Sequence, residues 1–193
     1  MNSRDSLQGV TLLVGLEGQT GLVVALGVLG AAKVVCLIGK YPDELDAIAH
    51  AVRDGGRQAH CYVGDPGHEG FFAGAVANIE ADHGPIEVSV IAAEVARGKS
   101  DACIGSFAKF REMACFTCFL NALEVAKRMS VRRRGDIVFI ESVQRREEFG
   151  SARRDNRGLA LLAMSRNMAG ELKSRQVRVR HMQVEVPAVW PAG

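Results

Sequence analysis

Three glycines, Gly15, Gly18 and Gly21, sit between an apolar run, Val10-Thr11-Leu12-Leu13-Val14, and a chargeless apolar stretch, Leu22 to Ala32. Glycines placed this way let a strand turn sharply into a helix. They leave backbone N–H groups facing outward at the helix N-terminus, where a dinucleotide pyrophosphate can bind. Two neighbours oppose an anion. Gln19 adds a side chain to the turn, and Glu17 adds a like charge, whose repulsion at ~5 Å and an effective dielectric of about 20 is roughly 3 kcal/mol. Two readings stay open, a phosphate-holding turn and a tight strand-to-helix turn with no ligand.

The other reactive side chains form no convergent set. Cys115-Phe-Thr-Cys118 has the spacing of a redox or zinc pair. It lies inside an apolar helical run rather than at a helix start, and no second ligand pair is near, so both thiols are expected in the core. His50, His60, His68, His83 and His181 are dispersed, with no pair at helical ligand spacing. They read as surface or loop histidines, and no metal site is expected.

The elements that must position the glycine turn follow from periodicity. A second apolar run, Val34 to Ile38, completes strand, turn, helix and strand. Tyr41-Pro42-Asp43 breaks it, and Glu44 to Asp54 has helical spacing closed by Gly55-Gly56. Ala59 to Val63, Ile86 to Ala93, Asp136 to Val143 and Val177 to Val186 read as further strands. Helices fall at Phe71 to Ala81, Ser106 to Met129 and Leu159 to Leu172. Alternating helices and apolar strands imply an α/β fold with a doubly wound parallel sheet of about six strands. The Ser106 to Met129 helix is apolar on two sides, with Phe107, Phe110 and Ala114 on one and Met113, Phe116, Leu120 and Leu123 on the other. One side fits its own sheet and the second fits a partner subunit.

With 193 residues, the chain reads as a single domain spanning 1–193. Five scattered cysteines suggest a reducing cytoplasm rather than a disulfide framework. The longest chargeless stretch, Gly18 to Ala32, is shorter than the roughly 20 residues of a membrane span. Arg4 is offset by Asp5 and Glu17 interrupts the apolar region, so no signal peptide is expected. The net charge of +2 hides an asymmetry. Residues 1–96 hold five basic and twelve acidic side chains (−7), while residues 97–193 hold nineteen and ten (+9). Arg132-Arg133-Arg134, Arg145-Arg146 and Arg153-Arg154 dominate that surplus. It fits either a solvated surface or a polyanion partner, and only Phe139 and Phe149 lie near enough to stack on a base.

The order of elements and several phrases resemble the short-chain dehydrogenase/reductase family over essentially the whole chain. The phrases are Gly-Arg-Gln-Ala before the third strand, Asp65 after it, Gly-Pro-Ile-Glu-Val before the fourth, Gly-Asp-Ile-Val-Phe-Ile-Glu-Ser in the fifth, and Val-Arg-Val in the last. The resemblance implies a Rossmann-type sheet. In the family the turn carries three glycines, whose outer two match Gly15 and Gly21 and whose middle one matches Gln19, with Gly18 as a substitute. Lys40 falls where NADP-preferring members carry a basic residue for the 2′-phosphate. Asp65 matches an aspartate that contacts adenine.

The same resemblance assigns catalysis to a serine, a tyrosine, a lysine and an asparagine. The serine matches Ser142, but Asp155, Leu159 and Ala114 stand at the other three positions. The family's Asn-Asn-Ala-Gly phrase is replaced by Ile91-Ala92-Ala93-Glu94. Its Pro-Gly phrase is replaced by Gln183-Val184-Glu185-Val186, and the seventh strand and substrate-covering helix are not expected. The sequence therefore points to a catalytically inactive relative acting as a binding, assembly or regulatory component, with weak or no NADP(H) binding. The alternatives are an NADPH-dependent carbonyl or hydroxyl oxidoreductase with an unorthodox site, and a polyanion or nucleic-acid binder. A homodimer through the helices at 106–129 and 159–172, or a heteromer with an active relative, is the expected assembly.

Overall fold

The computed structural model describes residues 9–16, 21–23, 27, 29, 32–92, 104–145 and 156–187; of these, 104–114, 142–145, 156–159 and 185–187 are described in backbone only. Six strands alternate with helices: β1 (Val10–Val14), β2 (Val34–Gly39), α1 (Pro42–Asp54), β3 (Gln58–Val63), α2 (Glu69–His83), β4 (Ile86–Ala92), α3 (Ile104–Arg132), β5 (Gly135–Arg145), α4 (Asn156–Leu172), a 3₁₀ turn (Lys173–Arg175) and β6 (Val177–Pro187). Residues 21–23 and 27, between β1 and β2, are also helical. The strands form one all-parallel sheet in the order β3-β2-β1-β4-β5-β6.

Parallel strands need helical crossovers, and the crossovers cover both faces, which explains why these strands are apolar almost throughout. One face packs Leu12, Val14, Cys36, Ile38, Phe139 and Val177 under α2, α3 and α4 residues such as Phe72, Ile79, Val125 and Leu161. The other face packs Leu13, Val35, Leu37, Val90, Val138 and Ile140 against Leu45, Ile48 and Val52 of α1. Successive residues of β1 alternate between the two clusters, as the two-residue strand period requires.

The helices start earlier than their apolar periodicity indicates. Tyr41-Pro42-Asp43 was expected to end the strand ahead of a helix from Glu44, yet α1 begins at Pro42 itself. Proline is well suited to that first position, because its missing N–H would have had no intrahelical partner. Helix α2 begins at Glu69, where His68 serves as cap and its Nδ1 accepts from the Phe71 N–H at 3.1 Å. The long helix exceeds its expected span at both ends, reaching Ile104 and Arg132. On α3, Cys115, Cys118, Ala122, Val125, Ala126 and Met129 are buried, whereas Phe116 is 60% and Leu120 40% exposed. Of the second apolar side, Phe116 and Leu120 are left exposed in the single chain, while Leu123 packs against the core.

Among the described residues, five arginines of the basic half pair with carboxylates, and two of those carboxylates, Glu80 and Glu87, come from the acidic half. Arg128 and Arg132 both reach Glu80, at 3.2 and 2.8 Å. Arg134 pairs with Glu87 at 3.2 Å. Arg178 donates through Nε to Asp136 at 2.9 Å, and Arg180 lies 3.7 Å from the same carboxylate. Arg132 also donates to the Ile86 carbonyl and Arg133 to the Ser174 carbonyl. The two oppositely charged halves are therefore stitched together along the N-terminal edge of the sheet.

His60 on edge strand β3 stacks on His83 at the end of α2, with ring centroids 4.0 Å apart. Burial, then the nearby charges of His83 and Arg53, hold its pKa below the ordinary value. The unfolded chain therefore binds this proton more readily than the folded one. His60's contribution to stability is present above its unfolded pKa of about 6.5 and is lost as pH falls below it. Urea denaturation at pH 7.5, 6.5 and 5.5 should show this loss, and His60→Gln should flatten it. An unchanged slope in the variant would show that His60 does not carry it.

Candidate nucleotide site at the C-terminal edge of the sheet

The strand order reverses between β1 and β4, and the glycine turn leaves β1 at that point. In open α/β sheets this is where a crevice opens beyond the strand ends. Gly15 has a left-handed φ of +65°, and its N–H donates to the Ile38 carbonyl at 3.1 Å. A Cβ there would come within 2.9 Å of the Ala92 carbonyl oxygen at the end of β4. Gly21 is closed in as well, since a Cβ would lie 2.8 Å from the Leu16 carbonyl carbon and 3.0 Å from Ile48 Cδ1. The first glycine thus supplies the turn and the third the close helix packing. Gly18, with Glu17 and Gln19, lies outside the described residues.

Two further candidates meet at the ends of β2 and β3. Register pairs Gly39 with Val63, and the Gly64 N–H donates to the Gly39 carbonyl at 2.8 Å. Lys40 and Asp65 are consequently side by side, with Nζ 2.9 Å from Oδ2. The other carboxylate oxygen accepts the Gly67 N–H at 2.7 Å, and the Asp65 carbonyl accepts the His68 N–H at 2.9 Å. Burial alone would raise the Asp65 pKa. The Lys40 hydrogen bond, the Gly67 N–H and the charges of Lys40 and His68 outweigh it and hold the carboxyl below its usual range. Tyr41 and Val63, both about half exposed, flank the pair in sequence. Gly15, Gly21, Lys40 and Asp65 fit the adenosine and pyrophosphate end of a dinucleotide: a turn with no room for a side chain, beside one cation and one fixed carboxylate.

The four positions that the resemblance links to catalysis are placed differently. Ser142 lies on β5 opposite Val184, and Ala114 and Leu159 lie on α3 and α4, in each case with no side chain described. Asp155 and Glu94 fall outside the described residues. Cys118 is buried, donates through Sγ to the Ala92 carbonyl at 3.5 Å and is pushed up to about 12 by burial and by Cys115. Cys36 is pushed up to about 12 by burial and by Cys61. Such thiols are packing groups, and the expectation of core cysteines at 115 and 118 holds. No cluster of three His, Cys, Asp or Glu side chains suited to a metal occurs among the described residues. No helix among them is long and apolar enough to cross a membrane.

One histidine departs from its expected surface or loop position. His181 on β6 has a side chain only 9% exposed, with Nε2 3.4 Å from Glu141 Oε2 on β5. The same Oε2 accepts from Gln183 Nε2 at 3.0 Å. The alternation of Arg178, Arg180 and Met182 with Val177, Val179 and His181 was the available signal, because it puts His181 on the same face as buried Val177.

A doubly wound parallel sheet with its glycine turn at the strand-order reversal defines a Rossmann-type α/β protein class. The short chain dehydrogenase family model matches residues 10–186, and the chain belongs to that family. Among solved structures it is similar to an NAD+-bound xylitol dehydrogenase, with TM-score 0.75, 22% identity, and 94% of this chain and 72% of that chain covered. It is also similar to a putative short-chain dehydrogenase/reductase from Burkholderia xenovorans, with TM-score 0.76, 22% identity, and 93% and 74% covered. A metagenomic short-chain oxidoreductase in complex with NADP matches with TM-score 0.69, 22% identity, and 92% and 81% covered. No curated protein matches. These likenesses establish the fold.

Gly15→Ala tests the turn. Left-handed backbone and the 2.9 Å approach to the Ala92 oxygen should together lower stability by about 1–3 kcal/mol. Chemical denaturation reads this directly, and a variant as stable as the parent would contradict the described turn.

Proposed function

We propose that this chain is a short-chain dehydrogenase relative that retains a weak nucleotide site and acts as a binding, assembly or regulatory component without hydride-transfer catalysis. The carrying observation is the contrast between two regions. At the proposed adenosine end, Gly15 and Gly21 are closed in and Lys40 lies against Asp65. The positions that would move protons hold Ala114, Asp155 and Leu159.

A nicotinamide cofactor, when bound, supplies hydride chemistry; the chain must supply binding, orientation and a proton. Gly15 and Gly21 let the backbone turn close beneath a pyrophosphate, and Lys40 offers a cation beside the ribose end. An aspartate with an ordinary pKa of about 3.9 is ionised at neutral pH and has no proton to donate. The arginines beside Asp155 in sequence, Arg153, Arg154 and Arg157, favour that ionised form. Leu159 can neither lower a neighbour's pKa nor hold a ribose hydroxyl. The contribution of positioned acid–base groups, typically 10²–10⁴-fold, is therefore missing.

For assembly, the uncovered Phe116 and Leu120 on α3, with Ala160 and Ala163 exposed on α4, support a dimer through these helices. A heteromer with an active relative would use the same surface. The free cysteines suit a cytoplasmic setting.

The second reading, an NADPH-dependent oxidoreductase with an unorthodox site, draws on Lys40, Asp65 and Ser142 and on the NADP complex of the metagenomic oxidoreductase. The polyanion reading is weakened by the arginines engaged with Glu80, Glu87 and Asp136.

Calorimetric titration with NAD(H) and NADP(H), beside turnover assays on aldehydes, ketones and alcohols, separates the readings. The expected result is a Kd weaker than about 0.1 mM, near −5.5 kcal/mol, with no cofactor-dependent turnover. Saturable turnover would establish the oxidoreductase reading instead.

A further inference from the structure

We infer that the stacked pair His60 and His83 is a pH-sensitive latch. It ties the last turn of α2 to edge strand β3 near neutral pH and opens that edge of the sheet when the rings take up protons in mild acid. The ring centroids are 4.0 Å apart, with 27° between the planes. Strand β3 is outermost and pairs only with β2. His83 is the last residue of α2, ahead of Gly84, whose φ of +93° turns the chain away.

The surroundings of His60 admit a neutral ring and oppose a charged one. Its Nε2 is buried and has no hydrogen-bond partner. In a neutral imidazole that nitrogen can stand as a bare lone pair. An imidazolium carries a proton on both nitrogens, so a charged donor would be buried and unpaired, which is the costlier state. Among the described residues, the groups whose charges act on His60 are both basic. His83 comes from α2, and Arg53 comes from α1, where its Nη2 donates to the Ala59 carbonyl at 2.8 Å. The register neighbour on β2 is Cys36, a thiol pushed up to about 12 by burial and by Cys61 and therefore uncharged. The carboxylates nearest His83 along α2 act elsewhere. Burial, then Cys36 and Asp82, raise the Tyr62 pKa, and Glu80 pairs with Arg128 and Arg132 of α3.

The opening is confined by where the core lies. Of the six residues of β3, only Ala59 is fully buried, whereas five of the six in β2 are. Helix α2 keeps Phe72, Ala75, Val76 and Ile79 in the core, all of them before its last turn. A strand with one buried side chain is the part of a sheet that opens at least cost. Two imidazolium charges at this spacing disfavour the closed stack by about fivefold even at the dielectric of water, and the buried Nε2–H adds to that. The stability loss assigned to His60 above therefore has a location, the β3 edge with the end of α2.

Amide hydrogen exchange of the full chain at pH 7.5 and 5.5, corrected for the intrinsic pH dependence of exchange, tests the latch. Protection of residues 58–63 and 80–84 should fall by about tenfold at the lower pH, while β1 and β4 stay within about threefold. The midpoint of that fall should coincide with the titration of the His60 ring followed by NMR, a comparison that needs no variant. His60→Gln, which takes up no proton, should hold residues 58–63 equally protected at both pH values. His83→Gln removes one of the two charges and should shrink the fall to about twofold. Circular dichroism checks that both variants are folded. Equal losses in β1 and β4 would overturn the inference, as would a fall in His60→Gln as large as the parent's. Full protection of residues 58–63 with the His60 ring already charged would overturn it too.

Discussion

Parallel pairing of β1 with β2 and β4 is the constraint on which everything else depends. It sends every strand out at the same edge of the sheet, so each strand-to-helix connection deposits its first residues there. The Gly15 turn is narrow because the Ala92 carbonyl of β4 stands directly against it. The contact between Lys40 and Asp65 follows from the β2–β3 register, which runs without a shift from Val34–Gln58 to Gly39–Val63. One pattern of main-chain hydrogen bonds therefore makes both the glycine turn and the charge pair beside it.

The same pairing explains the buried polar residues of the other half. Glu141 and Gln183 are register partners on β5 and β6, and His181 lies one pleat away on the same face. A carboxylate removed from water is costly unless it is hydrogen-bonded, and the Gln183 amide donates to Glu141 locally, with the His181 ring 3.4 Å away. Along the opposite edge, Glu80, Glu87 and Asp136 are matched by Arg128, Arg132, Arg134, Arg178 and Arg180. Part of the charge asymmetry along the chain is thereby offset in space.

How much of this could be read beforehand depended on whether the determining interaction was local. The strands were legible because a sheet covered on both faces demands uninterrupted apolar runs, as in Val10–Val14 and Val34–Gly39. The roles of Gly15 and Gly21 were legible because only a turn between strand and helix calls for them there. The start of α1 was misplaced because Pro42 ends a strand and opens a helix equally well. The pairing of Lys40 with Asp65 was not legible, since it is set by a neighbouring strand whose register the sequence does not state, whereas the alternation along β6 did carry a signal for the burial of His181. The arginine pairs were hidden likewise, as Arg128 and Glu80 are 48 residues apart.

The central claim is that the family's nucleotide end persists in this chain while its proton-transfer end does not. Amide chemical-shift mapping during titration with NADH, an uncoupled binding readout at residue resolution, tests it most directly. The account predicts shifts confined to Gly15, Gly21, Lys40 and the Asp65–Gly67 turn. Shifts of equal size at Ser142 and along residues 156–159 would contradict it, because they would mean that the nicotinamide end is held as well.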